Sequence, residues 1–466
     1  MRHKNEGQTC GRVRPLLSRR EILQSLSCGF GWLAFNDLAR RALAVERSSG
    51  GPHFPPTAKH VILLCMRGGP SHVDTLDYKP QLNKDSGKPG RRPGSELLGS
   101  PWEFKQRGES GLWISELLPE LGHQADKLCI INSMQTEVPA HPQAFLQLHT
   151  GTPRFVRPSL GAWTLYGLGS ENENLPGFVT ITPPSNVGGA QNYGSAFLPA
   201  SYQATRIGTN DRQIGTEAVA YLRRRQTIDA QRRELELLQA YNRAQMRAAG
   251  TTAVHEPEIE GLIESFELGF RMQAELPQVL DLDQESAETH RLYGIGGGPT
   301  DSFGRKCLLA RRLVESGVRF VEVTHGNWDQ HFNLRTALEN NCRSVDLPAA
   351  GLLRDLEQRG LLNETLVIWT GEFGRTPHAQ GGDGRDHNNN AFSCWMAGGG
   401  LRGGIRYGAS DEYGYEVAEN PVTIHDWHAT ILHLLGLDHE RLTYRYAGRD
   451  FRLTDVYGKV IRDILA

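Results

Sequence analysis

Two histidines and a carboxylate follow one short apolar run of the sequence. After the run Phe320 to Thr324 come His325, Asp329 and His331. Imidazole nitrogens and carboxylate oxygens are common ligands of divalent ions, and this spacing lets them reach one ion from a single loop. A lone histidine is usually a core or surface residue, but such groups cluster at functional sites. We therefore predict a metal-binding or catalytic role for these three residues.

A second polar group follows the run Leu366 to Thr370. Glu372 stands where a metal-binding carboxylate is expected, and Arg375 has a planar guanidinium that can hold an anion with two hydrogen bonds. Asp386 and His387 follow in a Gly- and Asn-rich stretch that we predict to be a loop. Metal binding by both is one interpretation, and a turn supported by their side-chain hydrogen bonds is the other.

A third group follows the run His60 to Met66, which breaks at a Gly-Gly-Pro turn. Asp74 is either a metal ligand or the cap of a short helix, and the sequence favours neither. Acidic and histidine side chains after three separate runs favour one convergent polar site over three unrelated groups.

The runs that precede these groups have the composition of buried parallel strands. Further strands are predicted at Leu128 to Ile131 and Phe178 to Ile181, and helices at Thr216 to Ala248, Phe303 to Ser316 and Ile424 to Leu435. Strands that alternate with helices indicate an α/β layered domain. Ligands of such sheets gather beyond the carboxyl ends of the strands, where the polar groups lie.

The N-terminus has the features of a twin-arginine export leader. Arg19 and Arg20 precede a mildly apolar stretch from Leu26 to Ala39, and a small-residue cleavage signal ends at Ala44. The stretch is too short and polar for a membrane span. We predict a signal peptide over 1–44, a linker over 45–57 and one domain over 58–466; an amphipathic N-terminal helix is the alternative to the leader.

Net charge and cysteine spacing disfavour several classes of function. Without the leader's eight basic and three acidic residues the formal charge changes from −2 to −7, which disfavours a nucleic-acid partner. The cysteines beyond the leader are scattered, with no C-x-x-C pattern: Cys65, Cys129, Cys307, Cys342 and Cys394. This spacing argues against a disulfide framework, a thiolate zinc site and covalent haem.

Four ordered blocks, Gly68 to Asp74, Trp328 to His331, Gly371 to Pro377 and Asp386 to Asn388, resemble a known family. It is a family of exported bacterial proteins of uncharacterised function, grouped with the alkaline phosphatase and sulfatase superfamily, and the resemblance covers nearly the whole chain after the leader. It implies an alkaline-phosphatase-like three-layer α/β/α sandwich with a mostly parallel central sheet. It also implies one or two divalent ions, with Zn, Ca or Mn as candidates.

The match to the superfamily's metal ligands is incomplete. Asp329 and His331 resemble the ligand loop of alkaline phosphatase, and Glu372 falls where the superfamily has an aspartate. Phe373 replaces the histidine that neighbours this aspartate. The first-strand carboxylates are also missing, which leaves Asp74 as their one possible substitute.

The largest departure from the superfamily is at the position of the sulfatase nucleophile. The segment His141 to Gly151 resembles the sulfatase nucleophile segment, but His141 stands in the nucleophile's place. Formylglycine chemistry requires Cys or Ser there, so the chain is not an ordinary sulfatase. His141 could be a nucleophile, an acid or base, or a ligand, or it could be structural after loss of the covalent step.

These observations predict an exported metal-dependent hydrolase of phosphate or sulfate esters, periplasmic or secreted. Its substrate would be a small anionic ester or a sulfated or phosphorylated polymer. The alternative is a non-catalytic binding or assembly protein on a degenerate scaffold. The helix Thr216 to Ala248 is then either the surface for a protein partner or a solvated covering helix, which is the commoner case. A redox enzyme is suggested by the leader type alone, since the remaining sequence has no cofactor motif.

Overall fold

The computed structural model describes residues 51–209, 214, 218, 219, 222, 226–248 and 256–466. The predicted leader and the first part of the predicted linker lie outside these residues. The strands are β1 His60–Met66, β2 Phe104–Arg107, β3 Leu112–Ser115, β4 Leu128–Gln135, β5 Phe178–Ile181, β6 Thr205–Ile207, β7 Phe320–His325, β8 Thr365–Thr370, β9 Gly374–Gln380, β10 Gly384–Asn388, β11 Phe392–Ala397, β12 Ile405–Tyr407, β13 Ala409–Ser410, β14 Val417–Glu419, β15 Val422–Thr423, β16 Tyr444–Tyr446 and β17 Arg449–Phe451. The helices are α1 His72–Thr75, α2 Pro80–Lys84, α3 Pro119–Gly122, α4 His141–Thr150, α5 Leu160–Leu168, α6 Ile228–Ala248, α7 Glu256–Leu280, α8 Ala287–Leu292, α9 Asp301–Glu315, α10 Leu334–Gln358 and α11 Ile424–Leu434.

A central sheet organises the described part of the chain. Its strand order is β12-β4-β11-β8-β1-β7-β5-β6, and β15 pairs with β4 as a ninth strand. The β1–β7, β1–β8, β5–β7 and β5–β6 pairs are parallel, whereas β11 is antiparallel to both of its neighbours. The carboxyl ends of β1, β7 and β8 therefore lie side by side, as ligand sites of α/β sheets require.

Helices cover both faces of this sheet. Alternate residues of β1 point to opposite faces, as the period of a strand requires. Ile62 and Leu64 join an apolar layer with α9 and α10, and Val61 and Leu63 join a second layer with α4, α5 and α11. The prediction of a three-layer α/β/α sandwich with a mostly parallel sheet is confirmed.

The predicted strands are found, and most of them are slightly longer than the apolar run that indicated them. Two predictions differ from the structure in detail. Of the helix predicted over Thr216 to Ala248, residues 228–248 are helical, residues 219, 222, 226 and 227 are not, and Thr216 lies outside the described residues. The Thr227 hydroxyl accepts a hydrogen bond from the Ala230 amide and caps the helix. The stretch around Asp386 and His387 is strand β10, which pairs with β9 despite its loop-like composition.

None of the helices in the described residues combines the length and apolar character that a bilayer crossing requires.

Candidate metal centre

Four segments of the chain deliver the polar side chains that meet at the carboxyl edge of the sheet. Asp329 and His331 follow β7, and Glu372 follows β8. His387 lies on β10, and His141 is the first residue of α4. The site is thus assembled from segments far apart in the sequence, as the sequence predicts for a convergent site.

Three imidazoles surround one carboxylate oxygen. The Oδ1 atom of Asp329 lies 2.8 Å from Nε2 of His331, 3.2 Å from Nε2 of His141 and 3.3 Å from Nε2 of His387. The Nε2 atoms of His331 and His387 are 3.0 Å apart. One ligand atom from each of the four residues lies within 4.8 Å of every other. We call these four residues the outer group.

The second nitrogen of each imidazole is occupied by an oxygen acceptor. The Nδ1 contacts are His141 to Glu372 Oε1 at 2.6 Å, His331 to Gln380 Oε1 at 2.5 Å, and His387 to the Pro139 carbonyl at 2.7 Å. A carboxylate or carbonyl oxygen accepts, so each Nδ1 donates, and a cation bound at the outer group would meet the Nε2 lone pair of each ring. Metal-binding histidines are oriented by such partners.

The charges at the site favour the protonated imidazole of His141 when no cation is bound. Burial lowers the pKa of His141, but Asp329 and Glu372 outweigh it and raise the pKa to about 9. Burial likewise raises the pKa of Asp329, yet contacts from His141, His387 and Arg375 hold it well below its usual range. The Nε2 atom of His141 is buried, and its contact with Asp329 is not aligned as a hydrogen bond. A positive charge is therefore stabilised at this point.

This donor set fits a divalent ion. Three imidazole nitrogens and one carboxylate oxygen suit zinc better than the all-oxygen preference of calcium. His141, Asp329, His331 and His387 are the residues that would hold it. Asp329 keeps 43% of its side chain exposed, so the outer group is open to solvent on that side.

Arg375 binds the carboxylate of the outer group from the buried side. Its guanidinium is fully buried and donates 2.6 Å to Oδ1 of Asp329. Its other hydrogen bonds go to the backbone carbonyls of Gly68, Gly69, Trp328 and Arg385. These groups occupy its donors and the guanidinium does not face solvent, so the structure places Arg375 as a support of Asp329, and its contact with a substrate anion stays a prediction.

Glu372 stands behind the outer group. It is fully buried, and both of its oxygens accept from the backbone amide of Gly68, at 3.0 and 3.1 Å. It contacts His141 on the ring nitrogen that faces away from Asp329. The structure therefore gives this predicted ligand the position of an orienting partner.

Asp74 lies outside the outer group and forms an ion pair with Arg385. Both of its carboxylate oxygens bind the guanidinium of Arg385, at 2.7 and 3.0 Å, and all of these atoms are buried. Its Oδ2 also accepts from the Ser71 hydroxyl at 2.6 Å. The structure places Asp74 in a buried ion pair outside the outer group, and Ser71 rather than Asp74 stands at the N-cap of α1.

His325 and Asp386 are likewise not brought into the outer group. His325 accepts from the Trp328 indole at 3.0 Å and lies 2.9 Å from the Ser344 hydroxyl. Asp386 lies 3.2 Å from Arg92 on the surface. The pairing of β10 with β9 is irregular between Arg385 and His387, and there Asp386 turns to the surface while His387 faces the outer group.

Gln380 and Pro139 were missed by the sequence prediction. Gln380 lies at the end of β9, and a backbone carbonyl such as that of Pro139 gives no sequence signal. Pairing of β9 with β10 brings these strands together. A prediction of that hairpin would have been the one route to Gln380.

Fold and site together define an α/β protein with a candidate metal centre at the carboxyl edge of its sheet. The chain matches, over residues 58–465, the model of a family described as a protein of unknown function, DUF1501. This match covers most of the sequence, so the chain belongs to that family. No curated protein is similar to it in sequence.

Solved structures with a partial likeness match most of this chain, but at low sequence identity. The PsFucS1 sulfatase from Pseudoalteromonas sp. is 13% identical, with a TM-score of 0.36, and the likeness covers 82% of this chain and 68% of that one. Ps i-CgsB in complex with k-i-k-neocarrahexaose is 11% identical, with a TM-score of 0.38, over 81% and 72%.

The alkaline phosphatase from the Antarctic bacterium TAB5 is a third such structure. It is 10% identical, with a TM-score of 0.35, over 81% of this chain and 98% of that one. Likeness at this level gives no information about the reaction of this chain, which must be argued from its own residues.

Proposed function

We propose that this chain is a metal-dependent hydrolase of phosphate or sulfate esters that works outside the cytoplasm. The convergence of three oriented Nε2 atoms on Oδ1 of Asp329 is the observation that carries the metal dependence. The ester class rests on the resemblance of the sequence blocks, and the location rests on the predicted leader.

The outer group would hold the ion. When bound, a divalent ion supplies Lewis-acid polarisation of an ester oxygen and lowers the pKa of a water molecule. His141 then acts as a ligand, which favours one of the roles that the sequence left open for it. Its contact with Glu372 keeps the ring oriented and makes it the more basic ligand.

Other side chains shape the space around the ligands. The Phe373 ring lies 4.8 Å from the ring of His141 and 4.6 Å from that of His387, so it excludes water from this side of the imidazoles. Arg375 fixes the Asp329 carboxylate, whose exposed flank faces the solvent from which a substrate would approach. Phe373 and Arg375 thus hold the ligands in place and are not themselves changed in the reaction.

The first experiment combines metal analysis with hydrolysis of simple esters. Purified full chain is analysed for bound metal and assayed with 4-nitrophenyl phosphate and 4-nitrophenyl sulfate in the presence of Zn, Mn or Ca. We expect one tightly bound ion at the outer group and turnover of at least one ester. A protein without stoichiometric metal that cleaves neither ester overturns the proposal.

Variants assign that metal to the outer group. His331→Ala and His387→Ala should lose the ion and reduce turnover at least roughly 100-fold, because each removes one of four ligands. His123→Ala is the matched control, since His123 is exposed and lies outside the outer group. Circular dichroism should show the same fold in all three variants.

One observation favours the second candidate, a binding or assembly protein. Helix α6 exposes Leu237, Leu238 and Tyr241, and the neighbouring helix α7 exposes Phe266. Loss of turnover in an Asp329→Ala, His331→Ala double variant with an intact fold supports the enzyme. Absence of turnover in the unaltered chain, with partner capture that Leu237→Ser and Tyr241→Ser abolish, supports the binding protein.

A further inference from the structure

A second set of metal-type side chains lies inside the core. Cys65 on β1, His149 on α4 and Glu322 on β7 each place one ligand atom within 4.8 Å of the other two. Their exposed fractions are 0%, 4% and 1%. We call them the inner group. None of its members belongs to the outer group, and it involves no exposed surface.

The imidazole of the inner group has a nitrogen without an aligned partner. Nδ1 of His149 lies 2.7 Å from the carbonyl oxygen of Phe145, which can only accept, so Nδ1 carries the ring proton. Nε2 then presents a lone pair toward Oε1 of Glu322, 3.2 Å away, and is not aligned for a hydrogen bond. Two acceptors that face each other in a buried site repel unless a cation lies between them.

The carboxylate of the inner group is also incompletely satisfied. Among the described residues, Oε2 of Glu322 has no hydrogen-bond partner, and Oε1 has a long contact of 3.5 Å with the Thr324 hydroxyl. The amine of Lys306, on α9, donates to the backbone carbonyl of Thr324 at 3.1 Å. The rest of this face of the sheet is an apolar layer, in which an ionised carboxylate is costly.

We propose that Cys65, His149 and Glu322 form a second, buried metal site for a thiophilic divalent ion such as zinc. One thiolate, one carboxylate and one neutral imidazole together balance the two positive charges of the ion, so the loaded site would be neutral. The thiolate forms by loss of the Cys65 proton when the ion binds. Sulfur and nitrogen ligands select zinc over magnesium or calcium.

The orientation of His149 matches this role. A metal-binding histidine usually donates its other N–H group to a carbonyl or carboxylate, as His149 does to Phe145. The competing arrangement is an ion pair in which a proton takes the place of the metal. Glu322 raises the pKa of His149 although burial lowers it, so the protonated ring is a defined alternative.

Cobalt substitution tests the inner group independently of any enzymatic activity. Cobalt bound to a thiolate gives a charge-transfer band in the near ultraviolet, and the four residues of the outer group include no cysteine. We expect this band in cobalt-loaded full chain, and we expect it to persist in His331→Ala and His387→Ala. The proposed hydrolase function can therefore fail while the inner site stands.

Substitutions connect the band to named residues. Cys65→Ser and Glu322→Gln should each abolish the band and reduce the bound metal by one ion per chain. Cys307→Ser is the matched control, because Cys307 is equally buried but belongs to the layer on the opposite face of the sheet. A band that survives Cys65→Ser overturns the proposal.

A measurement on the unaltered chain covers the case in which these variants fail to fold. X-ray absorption of the zinc-loaded protein should show a sulfur neighbour of zinc. Absence of both a sulfur neighbour and the cobalt–thiolate band means that His149 and Glu322 form an ion pair without metal, and this outcome overturns the site.

Discussion

The Nδ1 atom of His141 lies 2.6 Å from Oε1 of Glu372, a carboxylate that is fully buried. This contact connects the first residue of α4 with the loop after β8 and decides how the His141 ring is turned. Because the opposite nitrogen of that ring faces Asp329, the orientation of a candidate ligand depends on a residue that is itself outside the outer group.

Substitution Glu372→Gln should weaken metal binding without removing a ligand. An amide accepts less strongly from Nδ1 of His141, and loss of such a partner typically costs roughly 10- to 100-fold in metal affinity. Chelator competition measures the affinity. Glu364→Gln is the control, since Glu364 forms an exposed pair with Lys59. Equal affinities in the two variants would contradict the orienting role.

The stability of the metal-free protein should depend on pH through His141. Its folded-state pKa is about 9, above its ordinary value of 6.5. The contacts of the imidazolium therefore contribute stability that is fully present below pH 6.5 and lost as the pH rises through about 9. Urea unfolding of the apo-protein across this range measures the loss, and His141→Gln should remove this contribution.

Metal affinity should change in the opposite direction over the same range. A bound ion must displace the proton from His141, so affinity should rise with pH until about 9 and then level off. Chelator competition at several pH values gives the slope. An affinity that does not change between pH 6.5 and about 9 would show that His141 is not a ligand.

Substitution Gly384→Ala should disturb the outer group through the backbone of His331. A Cβ atom at position 384 would lie 1.7 Å from the His331 carbonyl oxygen, far inside contact distance. We expect a loss of about 3 kcal/mol in unfolding free energy, at the upper end of overpacking effects, and weaker metal binding. Gly269→Ala, whose Cβ meets nothing within 4 Å, should leave both unchanged or slightly raise stability.

Substitution Asp74→Ala tests the predicted ligand role of Asp74 against the observed ion pair. It leaves the buried guanidinium of Arg385 without its carboxylate, which typically costs about 3–5 kcal/mol. Metal content of the folded fraction should be unchanged. In the control Asp386→Ala the lost pair with Arg92 is partly exposed, so the change should be below about 1 kcal/mol, again with unchanged metal content.

The sequence predicted β1, β7 and β8, whose carboxyl ends border the site, because each is an apolar run with little polar interruption; β10, which carries His387, was predicted as a loop. His60–Met66 is one such run, and all of its residues are buried. The close spacing of Asp329 and His331 also indicated two members of the outer group directly. Asp329 and His331 are close in the folded protein because both belong to one loop.

The remaining geometry depends on contacts that no local pattern contains. His141 was singled out by a resemblance and left with several roles, and its position beside Asp329 follows from the placement of α4 at the sheet edge. The inner group shows the same limit, since Cys65, His149 and Glu322 lie in three distant apolar segments. Alone, each of them has the features of an ordinary core residue. The absence of a C-x-x-C pattern disfavours only zinc sites that are built from paired cysteines.

The buried guanidinium of Arg375 has a consequence for how this protein can change. It binds the turn after β1, the segment after β7 and strand β10 at the same time, through Gly68, Asp329 and Arg385. A substitution of Asp329, or a change that shifts the backbone at Gly68 or Arg385, takes an acceptor from a charge that has no access to water. The segments around Arg375 are therefore expected to be inherited together as one unit, while variation is expected in largely exposed segments such as residues 86–94.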